Sequence, residues 1–503
     1  MTGRRWRSAA VVSVLVILAG LALLVWNGWA EPREPFLLGG IQVNEPDHQA
    51  WAQGLLDAGF NTVSVTVYAH QGNWNTDHLW YDTDNPAVLS EIRAAKAAGL
   101  EVVLILRLAL DHAFEANRFL WHGQVMPESD QAVRSWFLQY GNFVEAWARH
   151  AEAEGVDVLG IGSELNSMTS TRPVDEMPAL QEYYLNPLKQ EEYKASVLSH
   201  RQGMEKHHLW SPGTDGFATL GDYLDAEIGA RVAWARGMVE SPAPPAEGEE
   251  PWDVMNRRRR MLEEHWLELI AKVREIYGGR LTYAANFDQY QEVGFWDHLD
   301  LMGINGYFQL RTPPDPRDPA AGDLSQQLER GWKAVLEEIV AFRLEEELGE
   351  MPVIFTELGY TSRRGSTVEP WASQGFSLIH LPAQPEPEPA PEASEADKTT
   401  EADETSEADE TSATEPSLPS TRLMVWTDEP LAPQERAQAL AALRRAAQTV
   451  DPELVAGLLY WKLSTLPGHR EVEPFVLILG DQPADPLEAE LRRFRSLEKG
   501  GEG

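Results

Sequence analysis

The chain has 503 residues, an ordinary hydrophobic fraction of 43%, and a formal net charge of −37. That acidity argues against nucleic acid or an anionic membrane surface as a partner. There is no cysteine, so disulfides, thiolate metal sites and a thiol nucleophile are excluded. The 18 tryptophans are many for this length. They serve either as core or as broad aromatic faces against the C–H faces of sugar rings.

Residues 1–30 read as a targeting or anchoring segment. Arg4, Arg5 and Arg7 precede the apolar run AAVVSVLVILAGLALLVW at 9–26. This length lies between a signal-peptide core and a spanning helix. The arginines would stay cytoplasmic, so the rest of the chain is expected outside. The run's length and its terminal tryptophans favour an uncleaved signal anchor, a transmembrane helix, while Gly28-Trp29-Ala30 offers a cleavage site that would make the protein secreted.

From residue 36 apolar strands alternate with helical stretches. The strands are expected at 38–44, 61–68, 100–108, from 156 (VDVLGIGS), 281–287, 299–308, 351–357 and 454–463. Helical spacing is read at 49–58, 85–98, 131–154, 252–277, 433–450 and 487–498. The strands are continuous apolar runs rather than alternating ones, as expected where helices cover both faces of a parallel sheet. Eight of them predict an α/β fold, a (β/α)8 TIM barrel spanning 36–498. An open doubly wound sheet fits less well, because no glycine-rich phosphate loop follows the first strand.

Two insertions are expected within the barrel. The first, 168–251, follows the fourth strand and either walls off one end of a cleft or forms a structural flap. The second, 384–420 after the seventh strand, holds 12 acidic residues against one lysine and repeats EADETS. It has no aromatic residue and almost nothing aliphatic, so it is predicted to be a disordered acidic loop.

Glu164 and Glu357 both stand where a buried strand runs out (IGSELNS and IFTELGYTS). The C-terminal end of barrel strands is where this fold keeps its chemistry, and the fourth and seventh strands face each other across the ring. Acetal hydrolysis needs a proton for the leaving oxygen and a carboxylate on the opposite side of the bond, a task for paired carboxyls. At the same end, Tyr307 could orient the nucleophile and Trp461 could floor a sugar site. Asn286, Tyr68 and Trp74 are further substrate-binding candidates. Arg107 interrupts an otherwise apolar strand and should pair with a carboxylate, one of these two glutamates being the candidate. The histidines, His112, His122 and the adjacent His207-His208 among them, show no metal spacing, and no serine elbow or Walker loop is present. Neither a metal nor an organic cofactor is expected.

Taken together, IGSELNS around Glu164, LTYAANF, WDHLDLMGINGYF, IFTELGYTS followed by EPW at 369–371, and LLYWKLS resemble glycoside hydrolase family 113. The resemblance runs in order over about residues 36–465, outside the insertions. It implies a (β/α)8 retaining enzyme, chiefly an endo-β-1,4-mannanase, with Glu164 as acid/base and Glu357 as nucleophile. An Asn commonly precedes the acid/base in the wider clan, where this chain has Ser163. The expectation is therefore an exported retaining β-glycosidase acting on a polysaccharide or oligosaccharide. The alternatives are a glycosidase for another glycan and a catalytically silent glycan-binding barrel. By these roles, ionised Glu357 sets the acid limb of a bell-shaped rate profile and protonated Glu164 the alkaline limb.

Overall fold

The computed structural model describes residues 35–171, 186–199, 217–239, 248, 251–312, 323–372, 375–381, 421–427 and 431–498. Eight parallel strands close into a barrel: β1 (Leu37–Gln42), β2 (Thr62–Gln71), β3 (Glu101–Leu110), β4 (Val158–Ser163), β5 (Arg280–Asn286), β6 (Leu301–Asn305), β7 (Val353–Leu358) and β8 (Val455–Ser464). Each pairs with the next, and β1 closes the ring against both β2 and β8. The (β/α)8 TIM barrel expected from the sequence is thus the fold.

Burial explains the apolar strand runs. Leu37, Val103, Ile105, Val158, Ala284, Leu301, Ile354 and Leu459 fill the barrel interior. A larger core lies between strands and helices, and fully buried Trp51, Trp136, Trp147, Trp266, Trp296 and Trp332 belong to it. Six of the 18 tryptophans that the composition left open between core and sugar face are therefore accounted for by packing.

Helix boundaries follow local chemistry. Asp47, Asn85, Ser129 and Asp323 cap the helices His48–Asp57, Pro86–Ala98, Asp130–Glu154 and Leu324–Glu345 through side-chain oxygens. Gly99 and Gly155 end the second and third of these in left-handed conformation. Pro251–Ile276 is the late helix of the fourth unit, and Pro433–Val450 and Pro486–Arg493 complete the seventh and eighth. The fifth unit has no α-helix; two 3₁₀ turns, Tyr290–Glu292 and Trp296–His298, lead directly into β6.

The first insertion contributes helices Pro187–Ser199 and Leu220–Val239. The second helix packs on the loop after β3: the Trp234 indole donates to the Gln124 carbonyl (3.0 Å). Phe119 of that loop meets Phe217 and Tyr223 edge on or tilted. Arg258 of the following helix bonds both the Pro127 and the Gly237 carbonyls. After β7, strands Gly375–Leu381 and Thr421–Thr427 pair antiparallel and flank the acidic segment. Residues 1–30 and 384–420 lie outside the described residues, so the anchor and the disordered loop remain expectations. Among the described residues no helix is long and apolar enough to cross a membrane.

A buried clasp fixes the loop between β7 and that hairpin. Glu435 accepts from Arg311 (2.8 Å), the Thr367 hydroxyl (2.7 Å) and the Gly365 amide (2.9 Å). Burial raises its carboxyl, but Arg311 and these donors outweigh burial and hold it below the ordinary value. Glu435→Ala strands a buried guanidinium and is expected to cost about 3–5 kcal/mol in a denaturant titration. A loss under about 1 kcal/mol, the range of an exposed pair, would deny the clasp this role. Because the folded pKa is depressed, the contribution is present above the unfolded carboxyl's pKa and is lost as pH falls through the folded value.

Candidate active site

The mouth of the barrel at the C-terminal ends of the strands holds a cavity of about 680 Å³ containing both Glu164 and Glu357. Register sets their level. Asn286 of β5 pairs with Asn305 of β6, and Asn305 with Glu357 of β7. Gly359, just past β7, lets β8 approach: a Cβ there would stand 2.3 Å from the Trp461 carbonyl oxygen.

Glu357 is buried and held on two sides. The Tyr307 hydroxyl donates to Oε2 at 2.8 Å, and Arg107 forms an ion pair with Oε1. The lone arginine of an apolar strand thus finds a carboxylate, and it is one of the two glutamates singled out. Burial first, then the Glu164 charge, pushes the Tyr307 phenol well above its ordinary value, so it remains a donor. Arg107 also lies 5.3 Å from the centre of the Trp461 ring, in range of a cation–π contact. The same arginine thereby connects the carboxylate to the aromatic floor.

Glu164 follows β4 with φ of +51°, one of two described non-glycine residues in the left-handed region. That conformation is sparsely populated, costs on the order of 1–3 kcal/mol and collects at functional sites. Its amide donates to the Ala284 carbonyl (2.9 Å), which ties the strained residue to β5. Its Oε1 accepts from the Asn305 amide (2.9 Å), and its Oε2 lies 3.0 Å from His122 Nε2. Burial raises the Glu164 carboxyl; the His122 hydrogen bond and charge, then Arg107 and Asn305, outweigh it and leave the group below its ordinary value. These surroundings favour ionised Glu164, whereas the acid role read from the sequence requires a proton on it.

Of the residues singled out in sequence, Glu164, Glu357, Arg107, Asn286, Tyr307 and Trp461 come together in this cavity. Tyr68 does not line it; it lines a neighbouring cavity of about 610 Å³. Trp74 lines neither. β2 runs on to Gln71 and pairs with a short strand, Leu79–Tyr81. The Gln71 amide then holds the turn by donating to the carbonyls of Asn73, Trp74 and Thr76. Trp74 is folded against the core, with its ring beside Gly237 of the insertion helix.

Sequence reasoning missed six residues that also line the cavity: Trp121, His122, Phe287, Asp288, Trp371 and Phe475. All lie outside the barrel strands. Phe287 and the half-exposed Trp371 stack at 5.4 Å between centroids and 12° between planes, forming an aromatic wall. Burial, and less so the Glu164 charge, raises the Asp288 carboxyl above its ordinary value. Asn305, which bridges Glu164 and, at 3.4 Å, the Ser163 hydroxyl, was also missed. It brings an amide beside the position where the wider clan carries an Asn and this chain Ser163.

A buried, doubly held carboxylate and a second carboxyl share one cleft at the top of a (β/α)8 barrel, and the class to which the family match assigns the chain is the glycoside hydrolases. Residues 253–386 match the model of Glycoside Hydrolase Family 113, the family whose motifs the sequence resembles. Among solved structures, the chain is similar to the GH113 β-mannanase of Alicyclobacillus acidocaldarius in complex with ManMIm. The two are 16% identical over 93% of this chain and 99% of that one, with a TM-score of 0.51. A GH113 β-1,4-mannanase solved as a complex is also 16% identical, over 92% and 99%, with a TM-score of 0.46. The first of these likenesses establishes the common fold. No curated protein matches the chain in sequence.

Proposed function

We propose that the chain is an exported retaining β-glycoside hydrolase of endo-β-1,4-mannanase type, working by double displacement. The observation that carries this reading is Glu357, fixed by Tyr307 and Arg107 in the cleft that Glu164 enters from the other side of the ring. Glu357 attacks the anomeric carbon while Glu164 gives its proton to the departing oxygen. The aglycone leaves and a glycosyl ester remains on Glu357. Glu164, now a carboxylate, takes a proton from water, and that water attacks the anomeric carbon and frees Glu357. Arg107 and Tyr307 keep the nucleophile ionised and correctly turned. Trp461, Phe287 and Trp371 offer apolar faces to the sugar rings.

The mannan assignment is supported by the match to the family and by the β-mannanases it resembles. Export is supported by the apolar segment 9–26 behind Arg4, Arg5 and Arg7, as anchor or cleaved signal, and a polymeric substrate would require it. The test is hydrolysis of a panel of β-linked polysaccharides, with new reducing ends as the readout. Mannan is expected to be cleaved. Cleavage of xylan or glucan instead would keep the mechanism and replace the substrate. Binding of a glycan without cleavage of any would turn the reading to a silent barrel.

A further inference from the structure

Between β4, which delivers Glu164, and β7, which delivers Glu357, stand β5 and β6. Asn305 closes β6 as its last residue and is 0% exposed. Its backbone is in register with Glu357, and the amide of the next residue, Gly306, donates to the Glu357 carbonyl at 2.6 Å. Its side chain serves the other carboxyl. Nδ2 donates to Glu164 Oε1 at 2.9 Å and lies 3.4 Å from the Ser163 hydroxyl. At the far end of the same amide, Oδ1 accepts from the Thr356 hydroxyl at 2.8 Å, and Thr356 directly precedes Glu357. One buried amide therefore joins the strand of the nucleophile to the head of the acid/base.

An amide nitrogen donates and has no lone pair to offer, so the oxygen it faces must accept. Among the described residues Asn305 is the hydrogen-bond partner of Oε1, and a proton on that oxygen would meet the N–H head on. Oε2 faces His122 Nε2 at 3.0 Å, a nitrogen that donates or accepts according to its own proton. When Glu164 is protonated, the proton thus belongs on Oε2. Turning the amide over would set its carbonyl oxygen against the carboxylate that double displacement regenerates in each cycle. It would also oblige two buried hydroxyls, Thr356 and Ser163, to turn with it. The titratable and charged groups around Glu164 are His122, Arg107, Tyr283, Asp288 and Tyr307, with Glu357 in the same cavity. Asn305 touches Glu164 rather than open cavity, so it acts through that carboxyl.

We propose that Asn305 is a positioning residue: it reserves Glu164 Oε1 as an acceptor and confines the acid's proton to Oε2, the oxygen on the His122 side, from which the leaving group receives it. The part played by that proton rests on the glycoside-hydrolase reading above. The test is Asn305→Asp, which keeps the shape, removes the donor and sets a second carboxyl at Oε1. The two carboxyls should then share a proton held to higher pH, moving the alkaline limb of kcat/KM for β-1,4-mannohexaose up by about one pH unit or more. The kcat for the hexaose should fall by about 10²-fold with KM little changed. The first step on a dinitrophenyl β-mannoside, whose phenol leaves unaided, should be spared. Thr356→Val, which unpins the amide, should slow the hexaose in the same selective way, and Thr356→Ser, which keeps the hydroxyl, should restore it. The threonine pair decides the matter if the aspartate variant does not fold. An unmoved limb with both substrates slowed alike, or equal losses in the valine and serine variants, would reduce Asn305 to packing and overturn the proposal. Infrared titration of the Glu164 carboxyl, identified by its loss in Glu164→Gln, separates this role from the hydrolase reading. An upward shift in Asn305→Asp, in a chain that cleaves no glycoside, keeps the hold on Glu164 and discards the hydrolase. Cleavage by the unmutated chain, with no shift in Asn305→Asp, does the reverse.

Discussion

Glu357→Ala is expected to lower turnover of a β-mannan by on the order of 10⁴-fold or more, the scale of losing a nucleophile. The groups that hold it, Arg107 and Tyr307, are donors and cannot take its place. The alanine strands the buried Arg107 guanidinium, so it should also cost stability, as at Glu435, and its folded state is checked by circular dichroism beside the assay. If Glu357 forms a covalent ester, added azide should restore part of the turnover of an activated aryl glycoside, yielding a glycosyl azide of inverted configuration. An alanine variant within 10-fold of the parent enzyme would remove Glu357 from the nucleophile's place.

Glu164→Gln is expected to slow the natural substrate by about 10²- to 10⁴-fold, the usual worth of a general acid. Aryl glycosides whose phenol leaves unaided should be spared in the first step. The pH dependence is the sharper test. With its carboxyl held below the ordinary range, Glu164 keeps its proton only at acid pH, so the alkaline limb of kcat/KM should lie on the acid side of an unperturbed glutamate. His122 supplies the largest lowering influences, after burial's opposing one. Replacing it with Asn leaves burial less opposed, so the alkaline limb should move up by about one pH unit or more. A limb that stays put in His122→Asn, or persists in Glu164→Gln, would show that another group carries the proton.

The barrel was legible because its determinants are local. β3 reads EVVLILRLAL and is buried along nearly its whole length, and its neighbours resemble it. Asn85 and Gly99 bracket a helix at both ends. The site was legible wherever a strand's end delivers the side chain, as at Glu357, Asn286 and Trp461. It failed at Trp74, because β2 continues past Tyr68 into a hairpin and a turn held by Gln71. His122 and Trp371 reach the cleft from irregular loops, with no period to betray their direction. Asn305 was overlooked although it ends β6, because an amide in GING carries no visible charge to mark it, unlike Arg107 in its apolar run. Whether Glu164 would be protonated could not be read at all, since that balance is set by His122, 42 residues away in sequence.

The packing of helix Leu220–Val239 on the loop that carries His122 reaches beyond architecture. The loop that carries His122 is braced by a segment outside the barrel, so the balance that holds the Glu164 carboxyl below its ordinary value depends partly on that segment's packing. Shortening or exchanging the segment is expected to shift the pH response of the cleft without touching either glutamate.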